Sequence, residues 1–210
     1  MKVQHRSFTL VASVVFSVLP ALGQLTVDAT SPIREMRRTA SVGSGGGFGR
    51  KVPLQVTMKT TGAPPDEDGK TVVEFSLTNS GKTDLIIPIS PHPGDLESAD
   101  PNASYSLRAL GLSVTADKKQ AQVLRGQAYL YGSDTVPGTL ISVDPGESIR
   151  VLARVALPST PQTETEAPVF VGHASLNSLT FKIMNGKTVS AMQEIGSSTS
   201  PEYTAEALLQ

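Results

Sequence analysis

The chain has 210 residues with 18 basic and 19 acidic side chains, and it contains neither cysteine nor tryptophan. That is long enough for one full-sized domain or two small ones, and for a real core. The near-neutral charge gives no electrostatic footprint for nucleic acid or anionic lipid, and the missing cysteine excludes disulfides, thiolate metal sites and cysteine nucleophiles.

The first 23 residues read as a secretory signal. Lys2, His5 and Arg6 form a short basic start, residues 8–19 are mostly apolar, Pro20 breaks the helix, and Ala21 and Gly23 are small residues at −3 and −1 of a cut before Gln24. Twelve helical residues rise about 18 Å, short of the roughly 30 Å hydrocarbon core, so the expectation is cleavage and not a membrane anchor. No other stretch approaches membrane length. The mature protein is therefore expected to be exported, periplasmic or extracellular, with no integral membrane span.

Residues 24–51 read as a flexible, mildly basic leader because of the glycine run at 43–49. A short early strand at 25–29 stays open. A phosphate-cradling glycine loop would need a helix after the glycines, and strand-like residues follow instead.

From Val52 the pattern turns to β. Val52, Leu54, Val56 and Met58 alternate with polar residues, then Val73, Phe75 and Leu77 do the same. The segments at 63–70 and Asn79-Ser80-Gly81 are turns. Residues 85–89 form a short apolar strand whose Pro88 places it near an edge or its own end. Residues 90–104 form a long loop without apolar periodicity, a length that marks it as functional or loose.

Tyr105, Leu107 and Ala109 share one parity, whereas Leu110, Leu112 and Val114 take the other. The slip beside Gly111 predicts a bulge, or a strand that bends from one sheet to another. Further strands are expected at 122–131 and 139–143. Asp144-Pro145-Gly146-Glu147 suits a type II turn. Residues 149–157 give the cleanest alternation in the chain. Residues 158–168 are a second structureless connection, either a domain linker or a crossing between sheets. After strand-like residues at 169–171, Leu179, Phe181 and Ile183 alternate, and Asn185-Gly186 signals a hairpin with residues 189–195. The last dozen residues read as a tail with room for one helical turn.

About eight or nine strands, with no long amphipathic helix after the signal, predict an all-β fold: an antiparallel β-sandwich of immunoglobulin-like character. The expected organisation is a signal at 1–23, a leader at 24–51, the sandwich at 52–196 and a tail at 197–210. The runs VVEFSLTNSGKTDLIIPI, YSLRALGLSV and ISVDPGESIRVLARV resemble the layout of secreted bacterial immunoglobulin-like domains. They are also distantly similar to bacterial proteinase-inhibitor domains of that fold. The resemblance spans residues 73–157 and implies fold more than function. The cysteine pair and core tryptophan of antibody domains are missing.

Two histidines lie beyond the signal. His92, in Pro91-His92-Pro93-Gly94-Asp95, has acidic neighbours at Asp95 and Glu97 but no second nitrogen or sulfur ligand nearby, so a solvated loop histidine is expected. His173 continues the alternation of Val169 and Val171 and reads as half-buried. No serine lies in a G-x-S-x-G or S-x-x-K setting, and the acidic turn at Asp66, Glu67 and Asp68 lacks calcium-loop spacing. Tyr129 and Tyr131 share one face of a strand, as an exposed platform or as packing. The expected function is a non-enzymatic binding module, without cofactor or metal, whose partner is an extracytoplasmic protein, peptide or glycan. Its tentative surface is His92, Asp95, Tyr129 and Tyr131. The alternatives are a secreted hydrolase with a site assembled from scattered residues and an inhibitor-like domain.

Overall fold

The computed structural model describes residues 24–30, 42–45, 51–100, 102–116, 128–157, 169–184 and 187–209. The signal and its cleavage site, residues 122–127 of the strand expected at 122–131, the 158–168 connection and the Asn185-Gly186 turn lie outside the described residues.

The fold is all-β. Its strands are β1 (Thr26–Ala29), β2 (Val42–Gly45), β3 (Leu54–Thr60), β4 (Lys70–Asn79), β5 (Leu85–Pro88), β6 (Tyr105–Ala116), β7 (Ala128–Gly132), β8 (Leu140–Val143), β9 (Ser148–Ala156), β10 (Val169–Met184) and β11 (Lys187–Thr204). They form a four-stranded sheet in the order β1-β9-β4-β3, a five-stranded sheet in the order β2-β11-β10-β6-β7, and a two-stranded sheet of β5 and β8. Most pairings are antiparallel. The exceptions are β1 beside β9 and β2 beside β11, both parallel.

The main core lies between the two larger sheets. Strict alternation buries Leu54, Val56 and Met58 of β3, Val73, Phe75 and Leu77 of β4, and Ile149, Val151, Ala153 and Val155 of β9. The five-stranded sheet answers with Leu110, Leu112 and Val114 of β6, Ala128 and Leu130 of β7, and Phe170, Ala174 and Leu176 of β10. At Gly172 the sheets come so close that a Cβ would stand 2.9 Å from the Met58 sulfur. Side-chain volume is excluded there, which explains the glycine inside a strand.

Asn79 ties one end of this core. Its buried amide donates to the carbonyls of Thr83 (2.9 Å) and Val143 (2.7 Å), and its Oδ1 accepts from the Gly81 amide at 2.9 Å. The neighbouring turn has the expected geometry. Gly146 takes φ +82°, and the Glu147 amide donates to the Asp144 carbonyl at 3.0 Å.

Several expectations are corrected. The early strand left open at 25–29 is present as β1, but the 24–51 segment also contributes β2, so part of the glycine-rich run is paired in a sheet. The tail also joins the fold, because β11 runs to Thr204 and Leu208, in the short 3-10 turn Ala207–Leu209, is buried in the main core. The loop at 90–104 contains a 3-10 turn, Pro93–Leu96. The segments at 169–171 and 179–183 are one strand, β10.

The slip at Gly111 is not a bulge in β6. Twelve consecutive pairs join β6 to β10, from Tyr105 opposite Phe181 to Ala116 opposite Phe170. The irregularities lie one strand over, in the β10–β11 pairing, at Val171/His173 and Leu176/Asn177. The apolar parity changes because the buried face changes. Leu110, Leu112 and Val114 point into the main core, whereas Leu107 points the opposite way into a second cluster with Leu96, Leu179 and Phe181. β10 does the same, with even-numbered residues up to Leu176 in the main core and Leu179 and Phe181 in the second. Ile183 shares the parity of Phe181 and is half-buried. Met184 pairs with Lys187, so β10 and β11 flank residues 185–186 as antiparallel partners.

Candidate functional site

β7 is an edge strand of the five-stranded sheet. Ala128 and Leu130 fill the main core, and the period of two turns Tyr129 and Tyr131 to the other face. Their ring centroids are 6.0 Å apart with an interplanar angle of 29°. Tyr131 packs against the second cluster, together with Tyr105, Val136 and Met192. Tyr105 in turn stacks on Phe181 at 4.6 Å.

The loop after β5 is built onto this strand. Ser90 exchanges two backbone hydrogen bonds with Tyr131, its carbonyl accepting at 2.7 Å and its amide donating at 2.9 Å. The chain then turns away. The His92 amide donates to Ser90 Oγ at 3.3 Å, and the Asp95 amide donates to the His92 carbonyl at 3.3 Å. Proline at the first position favours the 3-10 turn that follows. This turn delivers Leu96, 4% exposed, to the cluster under Tyr131.

His92 and Tyr131 thus belong to one local assembly joined through Ser90, with Tyr129 beside Tyr131. Asp95 is exposed on the turn. His92 is half-buried, and its Nδ1 is buried without a hydrogen-bond partner among the described residues, which corrects the solvated-loop expectation. The loop is not structureless, because Leu96 pins it. That residue is the only large apolar side chain in 90–104, and this signal could have located the anchor from sequence.

The tyrosines are neutral donors. Burial pushes the Tyr131 hydroxyl up to about 12, with the neighbouring Tyr129 adding to the shift, and burial raises Tyr129 as well. The surface therefore offers aromatic faces and neutral hydroxyls. His173 lies on β10, with Nε2 2.7 Å from Thr115 Oγ1, and burial holds its pKa below the usual histidine value. Asp66 forms the turn before β4. It accepts from the Asp68 and Lys70 amides at 2.8 and 3.0 Å and pairs with Arg154 of β9, whose hydrogen bond is the largest cause of its lowered pKa. Among the described residues no group of three or more His, Asp or Glu side chains is placed to hold a metal ion, and no helix is long and apolar enough to cross a membrane.

The chain matches no protein-family profile and no curated protein sequence. Among solved structures it is similar to target SoR45 of the Northeast Structural Genomics Consortium, at 12% identity and a TM-score of 0.28, over 71% of this chain and 87% of that one. It is also similar to Spo0M, a sporulation control protein from Bacillus subtilis, at 15% identity and a TM-score of 0.25, over 69% of this chain and 49% of that one. Likenesses this slight carry no argument about function.

Proposed function

We propose that the chain is an exported, non-enzymatic β-sandwich module of immunoglobulin-like character that binds an extracytoplasmic protein, peptide or glycan at the β7 edge. The order β3-β4-β9 facing β11-β10-β6-β7 supports the fold assignment. It follows the A-B-E and G-F-C-C′ orders of immunoglobulin sandwiches, with β1 and β2 added in parallel. The three-part N-terminus supports export.

The observation that carries the binding role is the stacked Tyr129–Tyr131 pair on an edge strand, with the 90–96 loop fastened to the same strand. Amphipathic rings on a rigid strand give contact area at low entropic cost, and their hydroxyls add directional bonds. The test is a screen of the purified chain against glycan and peptide arrays, followed by titration of any hit. Tyr129→Ala is expected to weaken binding by about ten- to a hundredfold while the thermal midpoint holds. Binding unaffected by Tyr129→Ala overturns the site. Turnover of an ester, peptide or glycoside that disappears in a folded His173→Ala variant overturns the non-enzymatic reading.

A further inference from the structure

A trough of about 450 Å3 lies between the outer margins of two different sheets. Gln24 and Leu25, leading into β1, form one wall, Ile141 and Ser142 of β8 the other, and the start of β9 the floor. β1 ends the four-stranded order, and β8 has β5 as its sheet partner. The Leu25 carbonyl accepts from the Arg150 amide at 2.9 Å, which fixes that wall to β9.

The hydrogen-bond phase of β8 gives the trough a direction. The Ile89 amide donates to the Thr139 carbonyl at 3.0 Å, so positions 139, 141 and 143 direct their main chain toward β5. Pro88, which has no N–H, sits opposite Leu140 at a position where none is needed. By the same alternation Ser142 turns its N–H and C=O away from β5. Edge strands are commonly blunted by lysine, proline or inward charge, and the β8 sequence LISV has none of these. Leu25 is 39% exposed at the opposite wall, Ile141 is half-buried, and Glu147 is the one charged side chain among the described lining residues.

We propose that this trough captures an extended segment of another protein by strand addition to β8. An apolar side chain of the segment lies against Leu25 and Ile141, and a lysine or arginine lies against Glu147. Only an extended backbone supplies the alternating donors and acceptors that an open strand edge takes, and the acidic lining selects a basic residue. The site is separate from the tyrosine face and does not depend on it.

The test uses the isotope-labelled full chain titrated with a capped heptapeptide that alternates valine with threonine and carries one lysine. Saturable amide shifts are expected at Leu25, Ser142 and Ser148. Replacing the peptide's lysine with glutamate is expected to weaken binding about tenfold. N-methylation of alternate peptide residues abolishes binding, and so does Ser142→Pro. If that variant fails to fold, the N-methylated peptide tests the same bonds from the other side. Failure to saturate, or equal binding of the N-methylated or glutamate peptide, overturns the proposal. Concentration-dependent shifts at these residues without peptide overturn it in favour of a second copy of the chain.

Discussion

One face of the five-stranded sheet packs against a second sheet, and the other packs against a turn. The main core draws on both large sheets and is nearly all aliphatic, with Phe75, Val73, Val151 and Leu110 fully buried. The second cluster has four buried members, Leu96, Leu107, Leu179 and Phe181, and closes with the Tyr105 ring stacked on Phe181. The first is sheet against sheet, where strands of both large sheets contribute and losses propagate. The second has a single loop residue, Leu96, among its buried members and is expected to open alone. Local stability follows the number of independent elements that must separate, so the same sheet is expected to hold firmly on one side and loosely on the other.

The largest effect is expected at the centre of the main core. Phe75→Ala should cost about 3–5 kcal/mol, read from urea denaturation, and should accelerate exchange across the whole molecule. A loss under about 1 kcal/mol would break the comparison at its root. Asn79→Ala comes next, at about 2–4 kcal/mol, because it removes the donor to the buried Val143 carbonyl and to the Thr83 carbonyl at the rim. This variant separates hydrogen bonding from packing on the main-core side. Leu96→Ala should cost about 2–3 kcal/mol locally. Hydrogen exchange is the sharper measurement. The Tyr131 amide, bonded to the Ser90 carbonyl, should lose protection while the Phe75 amide keeps it. Equal acceleration of both would mean that the two clusters open as one unit.

The smallest effect is a pH dependence on the second face. Burial lowers the folded pKa of His173, so the unfolded chain binds the proton more tightly. Stability is unaffected above about 6.5 and falls as pH drops from there toward the lowered folded value. His173→Gln keeps a partner for Thr115 and should flatten this acid limb in pH-resolved melts. An unchanged limb would assign it to another group.

The main core was legible because it obeys a single rule. In β3, β4 and β9 one face is wet and the other dry, so alternation names the buried residues directly. β6 broke that rule. Its parity change reads as a bulge only if one face is assumed to stay buried, and here the loop that covers the opposite face is remote in sequence from most of the strand's partners. β2 left no alternation to read, since after Val42 it holds only glycine and serine, and its order comes from main-chain pairing with β11. Within the candidate site, the shared face of Tyr129 and Tyr131 followed from spacing. The Ser90–Tyr131 bridge did not, because backbone pairing at one residue has no side-chain signature. Arg154 was also unread as a partner of Asp66: 88 positions separate them, and only the β4–β9 register brings them together.

The two parallel pairings set an order of events on the ribosome. β1 finds its neighbour only when β9, Ser148–Ala156, has been made, and β2 waits for β11, which ends at Thr204. Both strands are thus completed by partners made more than 100 residues later. Loop closures of this span are slow, and the nascent chain keeps two open sheet margins until β9 and β11 have been made.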